Sequence, residues 1–313
     1  MKWLVTGGSG FTGKYLIKTI HSQFPNDKII VVDINHPQYK FMNDVKFIEA
    51  NGLEEKRIGQ ILINEKPDRI IHLVGLRYNQ DPLLMTKINV ITCGILLETV
   101  KKKEIPIDGF LVVGSAAQYG EASPQRPPTE KISCVPSSYY GYLKLLQEKL
   151  ALEYYQKYEL PIICVRLANL IGPHMLESFV IPRIINQLAE SRKNTLDVHE
   201  LILHHTKAAR DFIDVRDVSN AYIKLFINSK TRGEIFNLGR NEVITLMEVI
   251  EQIKNLFGIK HLNIIEKYPR VDIDQHLMDS TKIRNSIHWK PKFELETTLK
   301  DMIEATKKKL DYF

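Results

Sequence analysis

Cysteine is scarce in this chain: Cys93, Cys134 and Cys164 are the whole complement in 313 residues. An odd, widely spaced set in a chain long enough to bury its own core excludes a disulfide framework. Reduced thiols and a cytoplasmic location are expected. No run of about eighteen apolar residues occurs, and Met1 leads straight into an apolar segment. Neither a membrane span nor a signal peptide is therefore expected. The ten histidines, His204-His205 included, lack carboxylates or thiols at ligand spacing, so no metal is expected. There is no RNA-binding aromatic signature, no internal repeat and no Gly/Ser linker, so nucleic acid is not an expected partner.

What is present is ordinary for a globular chain: 44% hydrophobic and 26% charged residues, with a formal net charge of +6. The Lys and Arg residues are scattered, which reads as a basic solvated surface. Arginines late in the chain also suit attraction of an anionic substrate.

The stretch from Met1 to Asp33 organises the rest. Leu4 and Val5 lie in a short apolar run that suits a strand buried on both faces. Gly7, Gly10 and Gly13 follow at intervals of three, then a helical segment to about Ser22 and a second strand, Ile29 to Asp33. The first glycine permits a tight turn, the second a close approach to a pyrophosphate, the third a close helix–strand contact. The helix offers its N-terminal amides and dipole to the phosphates. Asp33, twenty residues after Gly13, can accept hydrogen bonds from an adenosine ribose and would repel a 2′-phosphate. Strand, glycines, helix, strand and acid in this order mark a dinucleotide site, with NAD(H) favoured over NADP(H).

Further strands are expected at 45–50, 69–74, 109–115 and 161–166, with helices at about 54–64, 81–103 and 140–158. This alternation makes an α/β fold, a Rossmann-type doubly wound parallel sheet over residues 1–165. From about Arg166 the pattern loosens. Residues 166–313 are expected to form mainly a smaller mixed α/β substrate lobe, with about 211–235 returning to the first. Asp33, Gly75, Ser115 and Asn169 all fall at or just beyond expected strand carboxyl ends, where such sheets bind ligands.

Tyr140 and Lys144 stand four apart on one face of the expected helix. A lysine close to a phenol favours the phenolate, and the tyrosine can then exchange a proton with a substrate hydroxyl or carbonyl while hydride moves at the nicotinamide. Tyr139 is a rival, but only Tyr140 has a lysine four residues on.

Thr6-Gly-Gly-Ser9-Gly10-Phe11-Thr12-Gly13 resembles the T-G-G-x-G-F-I-G segment of the extended short-chain dehydrogenase/reductase family, the NAD-dependent epimerase/dehydratase group that acts on nucleotide-diphosphate sugars. Gly114-Ser115-Ala-Ala-Gln-Tyr-Gly120 resembles its S-S-x-x-V-Y-G, and Tyr140-Gly-Tyr-Leu-Lys144 its Y-G-x-S-K, with Leu143 in place of serine. His72-Leu73-Val74-Gly75 is similar to H-L-A-A, and Asn89-Val90 opens a segment similar to N-V-x-G-T-x-N-L-L-E. Arg166 to Pro173 is similar to R-x-x-N-x-x-G-P, Arg210 to Val218 to R-D-F-[IV]-x-V-x-D-[IV], and Tyr268 to Asp272 to R-P-x-D.

The resemblance implies a role for each matched position. Tyr140, Lys144 and Ser115 would be catalytic. Gly7, Ser9, Gly10, Phe11, Thr12, Gly13, Asp33, Asn51, Leu73, Val74, Gly75 and Asn89, with Tyr140 and Lys144, would hold NAD. Ser115, Ala116, Asn169, Val180, Arg210 and Arg270 would bind the nucleotide sugar, the two arginines as diphosphate clamps. Asn51 stands where the family usually has an adenine-contacting aspartate. A homodimer through the helices around Asn89 and Tyr140 is implied as well.

Dehydratases of the family carry an acid two positions after the Ser/Thr, and here that position is Ala117. Dehydration is disfavoured for that reason. The segment from Arg210, the 114–120 turn and Phe179-Val-Ile-Pro182 look most like 4-keto-6-deoxyhexose reductases of the GDP-sugar branch. Asp33 and the full glycine loop suit an enzyme that retains NAD, as 4-epimerases do. Reduction of a 4-keto sugar at C4 is expected, with 4-epimerisation as the alternative. A non-catalytic NAD-binding sensor would have no need of the tyrosine, lysine and serine.

Overall fold

A strand made only of apolar residues has nothing to turn toward water, so it must be covered on both faces. The computed structural model describes residues 1–37, 39, 41–42, 44–121, 126–193, 199–203, 208–266 and 275–310. In chain order it begins β1 (Lys2–Thr6), α1 (Phe11–Gln23), β2 (Lys28–Asp33), β3 (Val45–Glu49), α2 (Glu55–Glu65) and β4 (Arg69–His72). Then come α3 (Pro82–Thr86), a π-helical turn Lys87–Ile91, α4 (Thr92–Lys102), β5 (Gly109–Val113), α5 (Tyr139–Tyr158) and β6 (Ile162–Leu167). The remainder is β7 (Asn169–Ile171), α6 (Val180–Lys193), β8 (His199–Leu203), β9 (Ala209–Arg210), β10 (Phe212–Asp214), α7 (Val215–Ile227), β11 (Glu234–Leu238), β12 (Ile244–Thr245), α8 (Leu246–Phe257), β13 (Leu262–Glu266), β14 (Gln275–His276), α9 (Thr281–Ile287) and α10 (Leu295–Leu310).

Seven strands form one parallel sheet in the order β11-β6-β5-β4-β1-β2-β3. The order reverses at β1, which sits between β4 and β2, and that reversal opens the crevice where such sheets take ligands. Side chains alternate across the sheet. Trp3, Val5, Val31 and Ile71 pack with α1 and α7 on one face, while Leu4, Ile30, Ile70 and Phe110 pack with α2, α4 and α5 on the other. Beyond residue 211 the chain contributes to this sheet and its cover: α7 packs on α1, and β11 pairs in parallel with β6. A third core, built from α6, α8 and α10 around Ile184, Ile185, Val249, Ile253 and Leu299, holds the smaller lobe together.

The helix expected over 81–103 is not uniform. It passes through the π-turn at Lys87–Ile91, with Asn89 inside it. Such turns cluster at functional sites because the widened ring re-aims a side chain. Residues Pro82–Lys102 together are long and apolar enough to cross a membrane, with mean hydropathy 1.6. Here Cys93, Leu96, Leu97 and Val100 face the sheet and are buried in the core instead.

Candidate active site

The carboxyl ends of β1, β2 and β4 line a cleft of about 1550 Å³ that continues to the loop after β7 and to α6 and α10. Of the residues expected to hold a cofactor, Gly7, Ser9, Gly10, Phe11, Asp33, Asn51, Leu73, Val74 and Gly75 line it. Gly7 takes φ +73°, and a Cβ there would stand 2.9 Å from the Val74 backbone nitrogen. A Cβ on Gly13 would fall 2.2 Å from the Gly8 carbonyl oxygen, so only glycine lets α1 start this close to β1. Thr12 lies in the first turn of α1, half-buried beside Gly13.

Helix α1 begins at Gly10 with no side-chain cap and no acid in its first turn. Its leading amides are left for an anion. Asp33, ending β2, accepts the Ser9 amide at 3.0 Å and the Asn35 amide at 3.2 Å. The Ser9 hydroxyl is buried without a protein partner. An anion-ready helix end, an acid at the rim and an orphaned hydroxyl between them fit a dinucleotide.

Asn89 is placed differently from expectation. Its side-chain amide donates to the Leu76 and Met85 carbonyls at 2.8 and 2.9 Å, and its carbonyl accepts the Leu76 amide at 3.1 Å. Fully buried and fully engaged, it shapes the turn after β4 from behind rather than offering its amide to a ligand.

Beyond Gly75 lie the candidate reacting groups. A Cβ on Gly75 would meet the Lys144 ammonium nitrogen at 3.4 Å, which puts Lys144 directly behind the cleft wall. Ser115 caps the short 3₁₀ turn Ala116–Gln118, its hydroxyl accepting the Ala117 amide at 3.2 Å. The same side chain faces the Tyr140 phenol as a polar neighbour that favours its ionised form. The Tyr139 phenol is engaged elsewhere, sharing a hydrogen bond with the Thr86 hydroxyl at 2.7 Å.

The electrostatics correct one expectation. A lysine one turn away is expected to lower the pKa of Tyr140, yet burial raises it above the usual phenol value. The opposing influences are the Arg77 guanidinium and the Ser115 side chain. Lys144 donates to Gln147 Oε1 at 2.8 Å, and burial brings its own ammonium down to about 8. His72, inside the sheet next to Lys144, is held down to about 3 by burial and by that charge, so it is neutral.

Ala116 packs its methyl against Tyr119 and Met278. Asn169 opens β7 and pairs with Phe212 of β10, its amide donating to the Asp211 carbonyl at 2.9 Å. Val180 opens α6 and packs on the core of the smaller lobe. Arg210 is half-buried and donates to the Ala209 carbonyl at 2.9 Å. Arg270 and the His204-His205 pair lie outside the described residues. Among the described residues no cluster of three potential metal ligands occurs.

Sequence reasoning missed Arg77, Lys14 and Gln147. Lys14 lines the cleft one turn into α1, a position legible from the helix period alone. Arg77 lies two residues past Gly75 in a loop, where no periodicity marks it.

Comparison with known proteins identifies the family and the fold. The model of the NAD dependent epimerase/dehydratase family matches residues 3–239. The chain is 28% identical over 279 residues to a dTDP-D-glucose 4,6-dehydratase of Dictyostelium discoideum, covering 82% of this chain and 62% of that protein, under two thirds of its length. It is 26% identical over 307 residues to the GDP-6-deoxy-D-mannose reductase of Pseudomonas aeruginosa, covering 96% of this chain and 95% of that one. The crystal structure of a UDP-glucose 4-epimerase with UDP-glucose from Thermotoga maritima matches with a TM-score of 0.88 at 25% identity, covering 99% of this chain and 100% of that one. The relatives carry three different reactions at nearly equal identity, so the chemistry must be argued from the site.

Proposed function

Because the chain belongs to the NAD dependent epimerase/dehydratase family, we propose that it is an NAD(H)-dependent oxidoreductase that reduces the 4-keto group of a nucleotide-diphosphate 6-deoxyhexose at C4. The observation that carries this reading is the Tyr140 phenol, half-buried beside the Ser115 side chain and held above the usual phenol pKa by desolvation, so that it keeps its proton. A proton donor is what carbonyl reduction needs. When bound, NADH supplies the hydride. Tyr140 gives its proton to the oxygen at C4, and the Ser115 hydroxyl holds that oxygen in line. Lys144, adjacent to Gly75 of the cofactor cleft, steadies the charge that Tyr140 leaves behind. Ala117 leaves the position of a dehydratase acid empty of any proton acceptor, which supports reduction over dehydration. Asn169, Arg210 and Arg270 serve the diphosphate in this reading.

The test is to supply the protein with a GDP-4-keto-6-deoxyhexose and NADH. Loss of NADH absorbance with formation of the C4 alcohol is the expected result. Failure to oxidise either NADH or NADPH with this sugar overturns it. Asp33, held by two backbone amides at the cleft rim, favours a second reading in which NAD is retained and UDP- or GDP-hexoses are epimerised at C4. NAD released on denaturing the purified protein, with hexose interconversion, would select that reading.

A homodimer through α4 and α5 is part of the proposal. Ile91, Tyr142 and Leu146 leave 46%, 52% and 54% of their surface exposed along this face. Sedimentation at twice the chain mass is expected, and a monomeric mass removes it.

A further inference from the structure

Beneath the reacting groups lies a buried polar network that the chemistry above does not use. The Ser115 amide donates to Gln118 Oε1 at 2.8 Å, and Gln118 Nε2 donates to Glu148 Oε2 at 2.9 Å. Glu148 also receives Arg166 Nε at 2.9 Å and Arg166 Nη2 at 2.7 Å, a two-pronged ion pair. Arg166 Nη1 donates onward to the Tyr119 hydroxyl at 2.7 Å. Gln118, Glu148 and Arg166 are exposed by only 0%, 1% and 3%.

The placement of this carboxylate is what matters. Tyr140, Lys144 and Glu148 follow one another at four-residue steps on α5, so all three lie on one helix face. Glu148 therefore ties the helix that carries Tyr140 to the turn that carries Ser115 and to β6, which leads to Asn169. A second contact locks the same parts together. A Cβ on Gly141 would fall 2.3 Å from the Ala117 carbonyl oxygen, so the 3₁₀ turn rests directly on the first turn of α5. Gln118 departs from the S-S-x-x-V-Y-G pattern that the turn resembles, which has valine at its position. Valine can make neither of the two hydrogen bonds.

We propose that Gln118 and Glu148 are positioning residues that set the Ser115 hydroxyl against the Tyr140 phenol, with Arg166 as the counter-ion that lets the carboxylate stay buried. A hydroxyl misplaced by about 1 Å costs on the order of 100-fold in rate, while the diphosphate and the dinucleotide are held elsewhere. This rests on the functional reading above.

The test is Gln118→Met, which keeps the side-chain length, removes both amide contacts and leaves the Glu148–Arg166 pair in place. With NADH and a GDP-4-keto-6-deoxyhexose, kcat is expected to fall about 10- to 100-fold. KM should stay close to wild type, the thermal midpoint should fall by only a few degrees as two lost hydrogen bonds require, and the solvent deuterium effect on kcat should increase. Gln118→Glu should regain turnover toward acidic pH, where one proton shared between the introduced carboxyl and Glu148 rebuilds both contacts, and lose it as pH rises. Unchanged kcat in Gln118→Met, or a loss that merely tracks lost stability, overturns the proposal. Should the wild type fail to turn over this sugar, the functional reading falls by itself. Hydrogen exchange at the Ser115 amide then decides the network: faster exchange in Gln118→Met with α5 unchanged supports it, and equal exchange overturns it.

Discussion

The Thr6 hydroxyl and the His72 ring nitrogen Nδ1 share a hydrogen bond of 2.7 Å, at the point where β1 and β4 stand in direct register. Both residues are buried, and both line the cleft at the carboxyl ends of their strands. The other ring nitrogen, Nε2, is buried without a protein partner. A neutral imidazole is the only form this setting supports.

Acid stability follows from that. Folded His72 titrates at about 3, against 6.5 for the exposed residue, so only the unfolded chain takes up the proton as pH falls below 6.5. Stability contributed by His72 is full above 6.5 and is lost as pH falls toward 3. His72→Asn, which cannot titrate, is expected to narrow the gap between thermal midpoints at about pH 7 and about pH 4.5. An unchanged gap would mean another group dominates.

Tyr140→Phe removes the proton donor and little else. A loss of at least about 100-fold in kcat is expected, with nucleotide-sugar affinity within about twofold by calorimetry. Because burial raises the phenol above its ordinary value, wild-type reduction should hold steady through neutral pH and decline only in the alkaline range. A decline beginning near neutrality would implicate a different acid.

Lys144 carries a charge in a buried setting, held at about 8 rather than 10.5. Keeping it protonated at pH 7 costs about 3 kcal/mol. This cost grows as pH falls from 10.5 to 8 and is constant below. Lys144→Met should therefore raise the thermal midpoint while abolishing most turnover, the usual exchange between stability and function. A lowered midpoint would show that the lost Gln147 contact outweighs the desolvation.

The Glu148–Arg166 pair should show strong coupling. Glu148→Ala leaves a guanidinium buried and unpaired, at a cost of about 3–5 kcal/mol. Replacing both together, Glu148→Leu with Arg166→Met, should recover much of that stability in denaturant unfolding. Equal loss in the double variant would mean the pair itself, rather than the orphaned charge, carries the stability.

In the proposed function Asp33 sets cofactor choice, because its carboxylate would repel a 2′-phosphate. Asp33→Ala is expected to raise kcat/KM for NADPH relative to NADH by about tenfold or more. An unchanged ratio would place discrimination elsewhere along the cleft, with Lys14 and His36 as the neighbouring lining residues.

That Gly7, Gly10 and Asp33 share one cleft was legible because the signals are local. Gly7, Gly10, Gly13 and Asp33 lie within one βαβ unit, and their spacing is fixed by a turn, a helix and a strand. Tyr140 and Lys144 were legible through the helix period. Asn89 was readable as a position but not as a role, because its partners Leu76 and Met85 come from the turn after β4 and from a π-turn that no propensity marks. Arg77 and Glu148 were not read, and His72 and Gln118 were read only as parts of motifs and not for what they contact, since each acts on a residue from another element.

The sequence alone determined the alternation of strand and helix, the glycine loop, the acid that closes it and the family to which these belong. Apolar runs must be covered and glycines must turn, whatever surrounds them. Tertiary structure decided the electrostatics: that desolvation raises the pKa of the half-buried Tyr140, that burial lowers that of Lys144, and that Glu148 joins α5 to the Ser115 turn. Those outcomes depend on desolvation and on distances between segments up to tens of residues apart, and neither quantity exists until the chain has folded.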